Sequence, residues 1–431
     1  MDKYFQLSKN NTSIKQELLA GLTTFVSMAY ILFVNPSVLG AAGMNKGAVF
    51  TATALIAAIA TIFMGAVAKY PFAIAPGLGI NAFFSYSVVI GMGIPWQTAL
   101  AGVFVAGLIF FIMTIFKIRE LVINSIPNDL KAAIAAGIGL FIAFIGLSGA
   151  GVIVSSKATF VTLGDFSSPT VLLAVFGIIL TLILHGNKVP GAIFIGMVVT
   201  SVAGIGFGII SVPKQIISTA PSLAPTFGKA IEGLSGINSM QMVVVILTFL
   251  LVAFFDTAGT LIGLAKNAGF LNDKGELPRA GSALMADSIG MLGGSLLGTS
   301  PTTAYVESSA GIAVGGRTGL TSVFTGLFFV ASLLFSPLLT VVTSQVTAAA
   351  LVLVGILMIS NLAEVDWNNF PIAASAMLIA IGMPLTYSIS DGIALGFITY
   401  PILMIATGKW KQVTPIMYGL GVIFVIFMVI V

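Results

Sequence analysis

The sequence predicts an all-α protein threaded many times through a lipid bilayer. Only 7% of its 431 residues are charged, while 58% are apolar. A soluble domain covers its surface with about 25% charged residues, so the solvent of this chain is lipid. Apolar stretches of about 20 residues recur from Glu17 to the C-terminus, each long enough to cross a hydrocarbon core of about 30 Å. The closely spaced alternating strands of a membrane barrel do not recur.

The candidate spans run in order over 17–40, 49–68, 77–92, 96–116, 131–149, 169–185 and 189–210. After the break they run over 240–264, 280–298, 302–316, 318–342, 346–362, 370–387 and 390–407. A last apolar stretch covers 413–430, and its role as span or surface helix stays open. Asn35 and Pro36 follow the apolar run of the first span and loosen that helix. Residues 1–16 are polar and lack the apolar core and cleavage site of a signal peptide, so the first span is a genuine helix. The segment 211–239, rich in Pro, Ser and Gly, divides the chain into 17–210 and 240–431, with seven spans before it.

Charge sets the orientation. With residues 1–16 in the cytosol, the inner segments hold Lys3, Lys9, Lys15, Lys69, Lys117, Arg119, Lys131, Lys188, Lys266, Lys274, Arg279, Arg317, Lys409 and Lys411. Only Lys46, Lys157, Lys214 and Lys229 fall outside, 4 against 14. That bias follows the positive-inside rule for a cytoplasmic membrane. The net charge of +4 therefore reflects topology rather than nucleic-acid binding. Cysteine is absent and histidine occurs once, at interfacial His185. Disulfides, thiol catalysis and Cys- or His-based metal centres are thereby excluded, and neither an enzyme nor a cofactor is expected.

Two segments are short, interrupted by Gly and Pro, and similarly placed in the two halves: PGLGINAFFSYSVVIGMG (76–93) and GTSPTTAYVESSAGIAVGG (298–316). With Ala82 opposite Ala304, Asn81 pairs with Thr303 and Phe83 with Tyr305. Seven spans per half would invert the second copy. Such paired, broken segments point to a transporter binding site.

The acidic residues single out the chemistry. Asp256 follows some fifteen nearly uninterrupted apolar residues, and Glu307 lies about five residues into the helix opened by Pro301. A carboxyl inside a membrane is costly unless it faces a cavity or a partner, so each is a candidate functional group. The alternatives are a local cap for Asp256 and a salt bridge to Arg317 for Glu307. The amide of Asn81 can both donate and accept, which suits a heterocycle, or it joins the two half-helices structurally. Phe83, Phe84 and Tyr305 could stack on a flat ring, or they fill the core. Thr302 and Thr303 are expected as N-caps of their half-helix, with N–H groups near Ala82 and Ala304 open to the substrate. Asp287 is either a third functional acid or a partner of Arg279 or Arg317.

At these residues the chain resembles the AzgA-like purine permeases within the nucleobase transporter superfamily. The motifs are GLTTFVSMAYILFVNP (21–36), APGLGINAFF (75–84), AFFDTAGTLIG (253–263), MADSIGMLGGSLLGTSPTTAYVESSAGI (285–312) and GRTGL (316–320), and the similarity runs end to end. The resemblance implies about fourteen transmembrane helices in two inverted seven-helix repeats, arranged as core and gate domains. It implies short strands before the third and tenth helices. It also implies uptake of adenine, guanine or hypoxanthine by proton symport, with sodium left open as the coupling ion and a homodimer left open as the assembly. The family's substrate residues fall on Asn81, Asp256 and Glu307, alongside Ala82, Phe83, Thr303 and Ala304. Some members carry a further acid where this chain has Ala253, which leaves the division of roles between Asp256 and Glu307 open. Glu307 is expected to contact the purine, and Asp256 to carry the proton and make a second contact. Asp287 and Arg317 are assigned to conformational change. The rival reading keeps the fold but makes the chain an anion exchanger or channel, whose facing half-helix termini would not tolerate Glu307.

Overall fold

A computed structural model describes residues 2–116, 126–272 and 277–430. Lys117, Arg119 and Lys274 of the inner-side charge count lie outside the described residues. Nine helices among the described residues are long and apolar enough to cross a membrane, and four shorter apolar helices accompany them. Helix Pro169–Gly186 bares Leu172, Phe176, Ile179 and Ile183 at helical spacing. That is the stripe a bilayer covers, since lipid rather than water is the outer solvent here.

The first span is two helices, Ile14–Met28 and Ile31–Ala41. The break falls at Ala29 and Tyr30 rather than at Asn35 and Pro36. Pro36 sits inside the second of these helices, and the junction between the two is a tight turn. Leu32 N–H donates to the Ala29 carbonyl at 3.2 Å and Phe33 N–H to that of Tyr30 at 3.1 Å. The break turns Tyr30, 1% exposed, toward the centre of the molecule.

Four short strands form among the described residues, β1 (Ile74–Pro76), β2 (Ile153–Ser156), β3 (Phe160–Leu163) and β4 (Thr302–Ala304). β2 and β3 make a hairpin that the sequence reading did not foresee. β1 and β4 pair antiparallel, with Ile74 opposite Ala304, Ala75 opposite Thr303 and Pro76 opposite Thr302. Proline costs this ladder little, because a two-stranded ribbon is all edge. Its ends are closed by Gly77 N–H to the Pro301 carbonyl at 3.0 Å and Tyr305 N–H to the Ala73 carbonyl at 2.9 Å.

The pairing corrects several expectations. The segment 302–316 is not one continuous helix; after β4 it holds the six-residue helix Ser308–Ala313. Thr302 and Thr303 are strand residues, not helix caps, in keeping with the β preference of branched side chains. Glu307 stands at the N-cap position, not five residues inside a helix. Ala82 ends helix Leu78–Ala82 whereas Ala304 ends a strand, so the two are not counterparts. The strands begin 228 residues apart, at 74 and 302, not at the assumed offset of 222.

Helices approach closely where glycine faces glycine. A Cβ on Gly65 would stand 2.2 Å from the Gly319 carbonyl oxygen, and one on Gly319 would stand 1.9 Å from that of Gly65. Only small residues permit such contact in lipid. The stretch 211–239 is tied to the helices beside it, for Gly228 N–H donates to the Leu296 carbonyl at 2.8 Å and Thr226 Oγ1 to that of Leu297 at 2.9 Å. The final stretch is helical, Pro415–Ile430, with Phe424 packed edge-on against Phe397.

Candidate functional site

The ribbon of β1 and β4 brings two chain segments far apart in sequence to one place. Helix Leu78–Ala82, continuing as the π-helical turns Phe83–Gly91, leaves from β1, and Glu307 follows β4. Helix Met240–Ala268 passes alongside and carries Asp256. Between them lies a cavity of about 450 Å³, large enough for a small heterocycle. Tyr30, Leu78, Gly79, Asp256, Thr303, Ala304, Tyr305 and Glu307 line it, together with Phe255, Thr260 and Asn361.

Glu307 has a defined partner. Tyr30 Oη donates to Glu307 Oε1 at 2.5 Å. Asp256 lines the same cavity as Thr303 and Glu307. The salt bridge considered for Glu307 is not what holds it. Arg317 instead donates through Nη1 to the carbonyls of Ile312 and Gly316, at 2.7 and 2.9 Å. Tyr305 Oη donates to the Pro76 carbonyl at 2.5 Å, tying the cavity wall to β1. Ile74, opposite Ala304, turns its N–H out of the ladder to Thr61 Oγ1 at 3.0 Å. The alternation of an antiparallel ribbon does the same to the N–H of Ala304. No Lys, Arg or His stands among the described lining residues.

Asn81, Ala82 and Phe83 are buried beside the cavity rather than on its wall. Asn81 Nδ2 donates to Asn35 Oδ1 at 3.0 Å. Asn35 Nδ2 in turn donates to Thr53 Oγ1 and Thr299 Oγ1, at 2.8 and 2.7 Å. This amide chain knits the first and second spans to the turn before β4. Phe83 and Phe84 both pack on Phe249, with ring centres 5.1 and 6.4 Å away, so their faces are spent in the core. Asp287 is buried in helix Ala280–Leu297, where its carbonyl accepts from Thr302 Oγ1 at 3.3 Å.

Two residues escaped the sequence reading. Tyr30 lies inside a quoted motif, but nothing in a single sequence says that a tyrosine in an apolar helix reaches an acid 277 positions away. Glu17 opens the first candidate span, 17–40. It is fully buried and accepts from the backbone of Arg317, Thr318 and Thr321 and from the hydroxyls of Thr318 and Thr321, at 2.6–3.3 Å. Its carboxylate caps helix Gly319–Ser332, satisfying N–H groups that have no partner within the helix. The motif GRTGL marks that cap.

Known proteins resemble this chain in sequence and in fold. The Permease family matches residues 15–395. Guanine/hypoxanthine permease PbuG of Bacillus subtilis is 53% identical over 438 residues, covering 100% of this chain and 99% of its own. Adenine permease AdeQ of Escherichia coli is 43% identical over 412 residues, covering 96% and 92%. Among solved structures, the transmembrane domain of the cyanobacterial bicarbonate transporter BicA has a TM-score of 0.62 at 17% identity, over 91% of this chain and 97% of its own. At that identity the likeness speaks for the fold alone.

Proposed function

We propose that this chain, which belongs to the Permease family, carries purine nucleobases across a membrane. It is a membrane transporter, not an enzyme. The observation that carries the reading is the cavity itself, where Asp256 and Glu307 meet without a basic residue among the described lining residues. Carboxylates accept hydrogen bonds only. Guanine, hypoxanthine and adenine all offer ring N–H or amine donors to such a wall. The relatives named for guanine, hypoxanthine and adenine support the same class of substrate.

The finer reading is proton symport by alternating access. Glu307 makes the direct purine contact, and Asp256 carries the proton and makes a second contact. Sodium is the other candidate coupling ion. Thr303 and Ala304 complete the wall. Asn81, Ala82 and Phe83 brace it in this conformation and join the site as the domains move, with Asp287 and Arg317 serving the conformational change. The architecture behind this is fourteen transmembrane helices in two inverted repeats, 17–210 and 240–431, with core and gate domains and a cytosolic N-terminus in the cytoplasmic membrane. The BicA-like fold supports it. A homodimer is compatible with this arrangement.

The test is uptake of labelled guanine, hypoxanthine and adenine by a host lacking its own purine carriers. It is run with and without a protonophore, and with sodium replaced. Accumulation that collapses with the protonophore and ignores sodium is the expected result. Sulfate or bicarbonate flux in liposomes without purine flux would sink the proposal in favour of an anion carrier. Reporter fusions at each end test the cytosolic N-terminus.

A further inference from the structure

The cavity continues past the two acids. Asp256, Gly259, Thr260 and Gly263 line it from helix Met240–Ala268, three and four residues apart on one face. From Asp256 to Leu264, also on the wall, that face runs about 12 Å at 1.5 Å per residue. A Cβ on Gly259 or Gly263 would meet nothing within 4 Å, so this stretch of wall is bare. Val354, Leu357, Met358 and Asn361 line the cavity at the same spacing, from helix Ser344–Ile359 and the tight turns Ser360–Glu364. In the orientation set by the basic residues, both helices run from the outer side to the cytosol. Thr260 and Asn361 therefore stand on the cytosolic side of Asp256.

The polar groups along this wall are unequally spent. At the acid end, Tyr30 Oη donates to Glu307 Oε1 and Tyr305 Oη to the Pro76 carbonyl, each at 2.5 Å. Thr303 stays at that end, 2% exposed on β4. At the other end, Ser360 Oγ donates to the Leu357 carbonyl at 2.7 Å. Asn361 gives one N–H to the Met358 carbonyl at 2.7 Å and keeps its second N–H and its Oδ1. The Thr260 hydroxyl makes no hydrogen bond among the described residues. Two side chains on different helices thus bring unspent donors and acceptors to one cavity, in a wall otherwise apolar or bare.

We propose that Thr260 and Asn361 form a second, uncharged binding station for the substrate, on the cytosolic side of Asp256 and Glu307. The inference rests on the purine-transport reading above and adds a place to it. A hydroxyl and an amide both donate and accept, whereas a carboxylate only accepts. A purine edge carries ring N–H groups beside bare ring nitrogens, so it finds complements in this pair whichever edge it presents. Hydrogen bonds between neutral groups are weaker than those to a charged one. Affinity therefore falls from the acids to the station, in the direction of release.

The chain has no cysteine, so one introduced thiol is the only one to react. Leu357→Cys places it on the wall beside the station. Inside-out vesicles are treated with a membrane-impermeant thiol reagent over a range of hypoxanthine concentrations. The thiol should react from this cytosolic face, hypoxanthine should protect it, and protection should persist when Glu307→Gln is added. In that background, Thr260→Val with Asn361→Leu should raise the half-protecting concentration about tenfold, the equivalent of about 1.4 kcal/mol, while Thr260→Ser leaves it within about twofold. Thr260→Val, close in size and shape, carries the test by itself if Asn361→Leu does not reach the membrane, with a rise of about threefold expected. Loss of all protection with Glu307→Gln alone overturns the station, as does a half-protecting concentration indifferent to Thr260→Val. Reaction from the outer face only overturns its cytosolic placement. If the unaltered chain takes up no labelled purine, the transport reading falls and this inference with it. If it takes up purine and the thiol results fail, only the station is lost.

Discussion

Replacing Glu307 by Gln is the most direct probe of the site, because size and shape are kept and only charge and one acceptor change. In the wild type Glu307 Oε1 accepts from Tyr30 at 2.5 Å. A hydrogen bond to a charged group contributes about 1.5–3 kcal/mol, a neutral one about 0.5–1.5. In Glu307→Gln the amide faces a choice. If its oxygen stays toward Tyr30, an NH₂ replaces Oε2 and confronts the purine N–H with another donor. If it flips, its oxygen serves the purine, and the Tyr30 hydroxyl must turn to accept from the amide. Either way the charge-assisted bond to the substrate is lost. The loss of roughly 1.5–3 kcal/mol corresponds to a KM raised about ten- to hundredfold, since 1.4 kcal/mol is tenfold. Initial rates of labelled hypoxanthine uptake over a range of concentrations, normalised to carrier in the membrane, measure it. A KM within about twofold of wild type, with full accumulation, would show that Glu307 does not contact the purine. Glu307→Asp keeps the charge but withdraws it by one methylene, and it should fall between the two.

Other expectations follow from the same structure. On the proposed roles, Asp256→Asn should abolish protonophore-sensitive accumulation while leaving purine exchange between the two sides, measured by counterflow, because the proposed contact at Glu307 remains. Gly319→Ala puts a Cβ 1.9 Å from the Gly65 carbonyl oxygen; overpacking of that kind costs about 1–3 kcal/mol and should lower the melting temperature of detergent-purified protein. Glu17→Ala strips the cap from helix Gly319–Ser332; each buried donor left without a partner costs about 1–3 kcal/mol, so thermal stability should fall sharply while the KM of the carrier that survives stays close to wild type.

Much of the fold was legible because lipid imposes a crude rule. A segment that crosses must be long and apolar, and most of the spans read from the sequence became helices. The failures share a cause. At 302–316 the chain is apolar enough for a span, yet Pro301 and two threonines begin a strand that finds its partner at 74–76. Pairing across more than 200 residues leaves no mark on local periodicity. The first-span break falls at Ala29–Tyr30, while Pro36 is carried inside the second helix. The acids were legible because charge in lipid is anomalous wherever it stands. The hydroxyl partner of Glu307 was not, since tyrosine is ordinary in an apolar helix. Asn81 shows the limit of the chemical argument. A polar amide in an apolar segment can serve a substrate or another amide, and here it donates to Asn35.

The likeness to a bicarbonate transporter raises the question of what turns one scaffold toward a neutral heterocycle. A fold alone does not select a substrate; the groups on the site do. In this chain Asp256 and Glu307 line one cavity, with no Lys, Arg or His among the described lining residues. An anion placed about 4 Å from a carboxylate is repelled by about 4 kcal/mol at an effective dielectric constant near 20, and a second carboxylate adds to that. The helix termini that face the cavity offer partial positive charge worth at most about 2 kcal/mol each, so the acids prevail. A neutral purine pays no such repulsion and gains from each N–H it turns toward the wall. The same comparison predicts that converting both acids to amides removes the barrier to anions without restoring purine binding. Asp256→Asn combined with Glu307→Gln in liposomes should admit bicarbonate or sulfate more readily than wild type does. An anion flux unchanged from wild type would mean that something other than the two carboxylates sets the selectivity.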